Sequence, residues 1–316
     1  MPVIAKLSNP PEPGRPRRRR RLRTIQTLPT LLTLGNLLCG LAAIHFCMSA
    51  VADAGTGRPV FEKETLNSPF IESVLPSFLS ISGFMIVVGM LFDMADGRLA
   101  RFARRTSNFG GQLDSLADMA TFGIAPAVLM ITLLTRLPET DLVGLPSRAV
   151  WGVAAIYACC AAMRLARFNV EHSGSGSGAH ASFHGLPSPG AAFAVASLVI
   201  LHELPVYGAL LLANLLPYVL LGCALLMVSN VRYVHVGTTY LRGRRPFKQF
   251  ATIVIVLGIF LWQPVPTLAT AACAYVLSGP AGAIARRLRQ HPAQASAAPD
   301  AGQASHQAPS SSEKTG

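Results

Sequence analysis

The sequence predicts an all-α integral membrane protein with about eight transmembrane helices. Of its 316 residues, 51% are hydrophobic and only 13% are charged, whereas soluble domains carry about 25% charged residues. The apolar residues also occur in long runs, and a membrane-spanning helix needs about 20 of them. This composition excludes a simple soluble enzyme and a chain that is disordered throughout.

Eight apolar runs are long enough, or nearly long enough, to cross a bilayer. The first follows an arginine-rich segment that is too long and too rich in proline for a signal peptide, so we expect a retained helix. The fifth and seventh runs are the shortest. The predicted spans are 30–51, 73–92, 115–134, 149–166, 188–203, 207–229, 249–263 and 265–284.

Loop charges test this count independently, because basic residues favour the cytoplasmic side of a membrane. The segment before the first span is basic. The second, fourth and sixth loops are also basic, and so is the segment that follows the last span. The intervening loops are acidic, balanced or nearly uncharged. Eight spans with both termini in the cytoplasm fit every loop.

Composition divides the chain into three regions. Residues 1–27 are predicted to form a disordered basic cytoplasmic arm, residues 28–290 the transmembrane domain, and residues 291–316 a disordered cytoplasmic tail. The net charge of +12 suits an anionic partner. Because a membrane helix follows the arm at once, membrane lipid is favoured over nucleic acid, although the arm is equally consistent with a pure topology signal.

Acidic residues are almost absent from the predicted spans, and the exceptions form two pairs. Asp93 and Asp96 end the second span, and Asp114 and Asp118 begin the third. Spacings of three and four place both members of a pair on one helix face. Since a short loop joins the two helices, we expect the four carboxylates to converge just inside the cytoplasmic interface.

Four neighbouring carboxylates need a compensating cation. Ligation by oxygen alone favours Mg²⁺, Mn²⁺ or Ca²⁺, and four carboxylates are enough to bridge two ions, as in phosphoryl transfer. Gly97 and Ala100 on one helix, and Gly110 near the other pair, would let a bulky group approach the backbone. Arg101 offers a fork for phosphate. Together these residues predict a nucleotide diphosphate site, against the alternative of a solvated interfacial hairpin.

The same residues resemble the signature of the CDP-alcohol phosphotransferase family, D-x2-D-G-x2-A-R-x8-G-x3-D-x3-D. The positions that fill it, without any departure in spacing, are Asp93, Asp96, Gly97, Ala100, Arg101, Gly110, Asp114 and Asp118. The resemblance implies a six-helix membrane core whose site opens to the cytoplasm. It also implies transfer of a phosphatidyl or similar group from a CDP-linked donor to an alcohol, with release of CMP.

The resemblance further implies a role for each position of the signature. Asp93, Asp96 and Asp114 would hold two Mg²⁺ or Mn²⁺ ions, with Asp118 as a further ligand and as the general base. The expected nucleotide and phosphate contacts are Gly97, Ala100, Arg101 and Gly110.

Within the family the chain most resembles the bacterial phosphatidylserine synthases, in segments 32–40, 164–170, 183–189 and 226–233. This implies CDP-diacylglycerol and L-serine as substrates, a homodimer, and a site on the cytoplasmic face of the bacterial inner membrane. The candidate contacts for the serine carboxylate or a lipid phosphate are Arg164, Arg167 and Arg232. Each also fits the alternative of an interface anchor with no further role.

Several alternatives stay open at this point. Glycerol 3-phosphate, inositol or choline could replace serine, and Ser115 lies near enough to the acids for a covalent intermediate. A divalent-cation transporter would also use intramembrane acids, but it predicts acids near the midplane and an inverted repeat. A non-enzymatic membrane anchor acting through the basic arm leaves the acids unexplained.

Overall fold

The computed structural model describes residues 19–56, 74–103, 108–137, 145–173, 185–207, 210–231, 233 and 246–295. Within these ranges the chain forms eight helical rods and no β-strand. The third rod is continuous, but its middle turns are a π-helix. The elements are α1 (Arg19–Thr56), α2 (Phe78–Ala103), α3 (Asn108–Asp118), the π-helix (Met119–Ile124), α4 (Ala125–Arg136), α5 (Ser147–Ser173), α6 (Ser188–Glu203), α7 (Leu210–Val228), α8 (Pro246–Trp262) and α9 (Pro264–Ala295).

The predicted all-α integral membrane fold is confirmed. In the described part of the chain, six rods are long and apolar enough to cross a membrane. The other two are α6 and α8, with 16 and 17 residues, and they coincide with the two predicted spans that are shortest. Length and apolarity therefore support six spans directly, against about eight predicted, and the cytoplasmic position of the termini stays a prediction.

Helices extend beyond several predicted boundaries. Helix α1 begins at Arg19, inside the segment predicted as a disordered arm, and α9 continues to Ala295, past the predicted start of the tail. Arginine, leucine and alanine, which are common at both ends, are good helix formers. Helix α9 also continues for three residues past Pro292, although proline usually ends or kinks a helix. Residues 1–18 and 296–316 lie outside the described residues, and the disorder predicted for them stays a prediction.

The short helix α6 lies at the centre of the bundle. It packs against α2, α4, α7 and α9 and also contacts the π-helix. Ala191, Ala192 and Ala196 on α6 are fully buried, and such small residues let neighbouring helices approach closely. By contrast, α8 packs mainly against α9 and exposes most of its described side chains.

Helix α1 packs along α2 and also reaches the π-helix. Gly40 permits this approach, because a Cβ at this position would lie 2.9 Å from the Cα of Thr121. Thr121 in turn donates from Oγ1 to the carbonyl oxygen of Asn36 at 2.9 Å. This contact brings Asn36 beside the junction between α3 and the π-helix, where Asp118 lies.

The π-helix has a local cause in Pro126. Proline lacks an N–H, so the carbonyl of Phe122 loses its usual donor four residues later. The fully buried Tyr157 replaces this donor, because its hydroxyl donates to the Phe122 oxygen at 3.0 Å. The Ala125 N–H bonds to the Ala120 oxygen five residues earlier, which is the π-helical pattern. Such π-turns are frequent at functional sites, and this one begins directly after Asp118.

Candidate active site

Three of the four predicted aspartates meet between α2 and α3. One carboxylate oxygen from each of Asp93, Asp114 and Asp118 lies within 4.8 Å of the other two. Each of the three side chains is only partly buried. The arrangement is a compact group of oxygen ligands that solvent can reach.

Asp96 lies beside this group but has a different partner. Asp96 is buried, with 5% of its surface exposed. Its Oδ2 accepts a hydrogen bond from Thr33 Oγ1 on α1 at 3.0 Å. Its charge still interacts with Asp114 and Asp93. The sequence predicts that all four acids converge, whereas the structure ties Asp96 to α1 through Thr33. Metal ligation by Asp96 stays a prediction.

A second polar residue of α1 reaches the acids one helical turn further on. Asn36 Nδ2 donates to Asp118 Oδ1 at 3.0 Å. Thr33 and Asn36 are three apart and therefore share a helix face. Helix α1 thus contacts one aspartate from each of the two acidic helices.

The three-carboxylate group suits a hard divalent cation. In the described part of the chain, the metal-ligating residues at this place are aspartates alone, and oxygen ligands favour Mg²⁺, Mn²⁺ or Ca²⁺. Asp114 Oδ1 is buried and has no hydrogen-bond partner among the described residues. Because an unsatisfied buried acceptor is costly, a bound cation would satisfy an oxygen that the protein leaves without a donor.

The small residues leave open space beside the acids. Gly97 is exposed, and a Cβ built there meets no described atom within 4 Å. Gly110 lies in the first turns of α3 and is partly buried. Ala100 and Arg101 continue α2, but their side chains lie outside the described residues, so their roles stay predictions.

Arg164 brings a positive charge from α5 to the same place. Its guanidinium interacts electrostatically with Asp118 and Asp93, and its Nη1 donates to Ser188 Oγ at the start of α6 at 3.0 Å. Its Nε is buried and finds no acceptor within the described ranges. This donor is therefore available to an anionic ligand. Arg167 is exposed one turn along the helix, and Arg232 lies outside the described residues.

A short segment before α6 is tied to the end of α7. The N–H groups of Gly185 and Leu186 donate to the carbonyl oxygens of Val231 and Leu226, at 2.9 and 3.0 Å. Gly185 has φ +90°, and a Cβ there would lie 2.5 Å from the Met227 oxygen, so glycine is required. These bonds join residues 185–186 to residues 226–231.

Tyr233 follows this junction and packs against α9. Its hydroxyl donates to the Val276 oxygen on α9 at 3.0 Å, and its ring lies against Gly279 and Tyr275. Burial raises the pKa of Tyr233 to about 12, so the hydroxyl stays protonated and donating at neutral pH. The residue therefore fastens the end of α7 to α9.

Sequence reasoning missed Ser188 and the partner of Ser115. Ser115 exchanges hydrogen bonds with Asn169 on α5, at 2.9 and 3.2 Å. Both contacts join residues from distant parts of the chain. The available local signal is Pro189, because proline is favoured in the first turn of a helix and therefore places the preceding Ser188 at the helix start.

Comparison with known proteins assigns the family. The family model for CDP-alcohol phosphatidyltransferases matches residues 26–228, a segment that holds all four aspartates. The chain belongs to the CDP-alcohol phosphatidyltransferase family. The matched segment runs from α1 to α7 and contains six rods, in agreement with the expected six-helix core, while α8 and α9 follow it.

Curated relatives in this family share the name CDP-diacylglycerol–serine O-phosphatidyltransferase. The Helicobacter pylori protein is 32% identical over 200 residues, which are 62% of this chain and 76% of its own length. The Bacillus subtilis protein is 31% identical over 203 residues, 64% of this chain and 86% of its own. The Saccharomyces cerevisiae protein is 36% identical over 118 residues, 36% and 39% of the two lengths.

These matches confirm the family membership that the signature indicates. The CDP-alcohol phosphatidyltransferase described here is a multi-pass membrane enzyme of the phosphotransferase class. Its reaction class is the transfer of a phosphate-linked group from a CDP-linked donor to an alcohol. Neither the transporter nor the anchor alternative gains any support from the relatives.

Proposed function

We propose that the enzyme transfers the phosphatidyl group of CDP-diacylglycerol to L-serine, giving phosphatidylserine and CMP. The site would face the cytoplasm in a bacterial inner membrane. The observation that carries the proposal is the group of three carboxylates with the half-buried Arg164 beside it. The relatives named for serine transfer favour serine over other alcohols.

In this proposal the acids hold the divalent cations, Mg²⁺ or Mn²⁺. Asp93, Asp96 and Asp114 would be ligands, and Asp118 a further one. Bound ions would neutralise the donor's pyrophosphate and stabilise the CMP that leaves. The unsatisfied Asp114 oxygen and the all-oxygen donor set support this assignment.

The protein's own groups bind and orient the reactants. The open space at Gly97 would admit the cytidine, and Arg101 would contact phosphate. Asp118 would take the proton of the serine hydroxyl as that oxygen attacks the phosphorus of the phosphatidyl group. The bond from phosphorus to the CMP oxygen then breaks. Since a serine hydroxyl is a very weak acid, a positioned base is needed.

Arg164 is proposed to bind the serine carboxylate. Its side chain already uses Nη1 on Ser188, which fixes the guanidinium. Its buried Nε lacks an acceptor among the described groups, and arginine suits planar carboxylates because its donors form a fork. A serine bound in this way would then lie next to Asp118.

Changing Arg164 to glutamine is expected to raise the KM for serine. Hydrogen bonds to charged groups contribute about 1.5–3 kcal/mol, so the rise should be about tenfold to a hundredfold. The KM for CDP-diacylglycerol should change by less than about twofold. Initial rates of CMP release in detergent at varied serine concentration measure both values.

A matched control for this variant is Arg148→Gln. Arg148 is exposed near the other end of α5, about 24 Å away along the helix, and this change should leave both KM values unaltered. An unchanged serine KM in folded Arg164→Gln would remove Arg164 from the acceptor site. CMP release by the wild-type enzyme that does not depend on serine would refute the proposed acceptor.

A further inference from the structure

Asn36 is an unusual residue to find in the middle of a transmembrane helix. It is fully buried, with 0% of its surface exposed. Its Nδ2 donates to Asp118 Oδ1 at 3.0 Å, and its backbone oxygen accepts from Thr121 Oγ1 at 2.9 Å. The residue therefore touches both Asp118 and the π-helix that begins immediately after it.

Chemistry fixes which way the Asn36 amide points. An ionised carboxylate can only accept hydrogen bonds, so the amide nitrogen must face Asp118. The opposite orientation would place the amide oxygen against a carboxylate oxygen. Asn36 Oδ1 therefore points away from Asp118, and it is buried without a hydrogen-bond partner in the part of the chain that the structure describes.

Neighbouring backbone holds the amide in this position. A Cβ at Gly89 on α2 would lie 3.0 Å from Asn36 Oδ1 and 2.6 Å from Thr121 Cγ2. Gly40 gives the matching close approach on α1. The amide is thus packed between two helices and the π-helix, which leaves it little freedom to rotate.

Stability alone does not explain an asparagine here. A buried amide oxygen without a partner is a cost that an apolar side chain would avoid. The asparagine provides one hydrogen bond to Asp118. The charge of Asp118 also interacts with the other three aspartates and with Arg164. The hydrogen bond to Asp118 is therefore the reason that the structure offers for an asparagine at this position.

We propose that Asn36 is a positioning residue for Asp118. By holding Oδ1, it fixes the carboxylate in one orientation and leaves Oδ2 as the oxygen that serves the reaction. This inference rests on the proposed role of Asp118 in metal binding and proton transfer. Groups that orient a metal ligand typically change metal affinity or activity by about 10–100-fold when they are removed.

The test uses full-length enzyme in detergent and two readouts. One is kcat and KM for CMP release at saturating Mn²⁺, and the other is the dissociation constant for Mn²⁺ alone, measured by electron paramagnetic resonance. For Asn36→Ala we expect kcat to fall and the Mn²⁺ dissociation constant to rise, each by about 10–100-fold. The KM for CDP-diacylglycerol should stay within about twofold, because the donor's other contacts are unchanged.

A double-mutant comparison separates positioning from packing. In the Asp118→Asn background, Asn36→Ala should cause no further change in the Mn²⁺ dissociation constant, because the residue acts through Asp118. Ser82→Ala is the matched control, since it removes a different hydrogen bond made with α1, the buried bond from Ser82 Oγ on α2 to the Ala43 oxygen at 2.8 Å. This control should leave kcat and Mn²⁺ affinity within about twofold of wild type.

Three results would overturn the proposal. The first is folded Asn36→Ala with wild-type kcat and Mn²⁺ affinity. The second is an equally large loss of Mn²⁺ affinity in the Asp118→Asn background. The third concerns folding, and uses Asn36→Asp as a second variant of nearly the same size that cannot donate. If neither Asn36 variant folds while Ser82→Ala does, the residue is structural.

The outcome is independent of the acceptor. If CMP release requires an alcohol other than serine, the proposed function fails in its substrate. The Asn36 comparison is then made with that alcohol. If no acceptor supports release, the Mn²⁺ measurement still reports on Asn36 and Asp118.

Discussion

Changing Asp118 to asparagine is expected to lower the rate of CMP release by at least about 10³-fold, because it removes a general base, worth about 10²–10⁴-fold, and a charged metal ligand. The new amide oxygen can still accept the hydrogen bond from Asn36, so the local packing is kept. The measurement is the initial rate with CDP-diacylglycerol, serine and Mn²⁺ in detergent.

Glu203→Gln is the matched control for the loss of a partly buried acid. Glu203 lies at the other end of α6 from Ser188, about 22 Å along the helix, and its Oε2 is 3.9 Å from Arg136 Nη1. This variant should keep its activity within a fewfold of wild type. Folded Asp118→Asn that retains more than about a tenth of the activity would contradict the assignment of Asp118.

Removing divalent cations is expected to abolish transfer completely. Three carboxylates whose oxygens lie within 4.8 Å of one another repel when no cation is bound. The donor's pyrophosphate would also lose its compensating charge. Treatment with EDTA should reduce CMP release to the background rate, and added Mg²⁺ or Mn²⁺ should restore it.

A binding measurement supports the same prediction without relying on catalysis. A ligand that binds only the folded state raises the melting temperature, so Mn²⁺ should stabilise the wild-type enzyme. The double variant Asp93→Asn, Asp114→Asn should melt at the same temperature with and without Mn²⁺. Full activity in EDTA, or equal stabilisation of the double variant, would show that the acids do not hold a cation.

The membrane-spanning helices and the acidic site can be predicted from the sequence, because both depend on patterns among residues that are close together in the chain. Apolar runs of about 20 residues specify spans, and spacings of three and four specify shared helix faces. Because the loop between the two acidic helices is short, these rules predict four converging carboxylates, of which Asp93, Asp114 and Asp118 lie together. The family signature then adds the reaction class.

The remaining features depend on contacts between distant segments. Asp96 bonds to Thr33, Arg164 bonds to Ser188, and Asn36 bonds to Asp118. No periodicity encodes such pairs, because each joins residues on two different helices. The π-helix could be predicted only in part. Pro126 in the sequence indicates that one backbone hydrogen bond is missing, but it does not indicate that the Tyr157 hydroxyl replaces it. The homodimer implied by the resemblance also stays a prediction.

The most direct test of the central claim is CMP release from CDP-diacylglycerol by the purified enzyme with Mg²⁺ or Mn²⁺. Serine, glycerol 3-phosphate, inositol, choline and no acceptor are compared, with Asp118→Asn in parallel. We predict release that depends on serine and is lost in the variant. Release with a different alcohol would contradict the proposed acceptor, and release by Asp118→Asn at the wild-type rate would contradict the proposed mechanism.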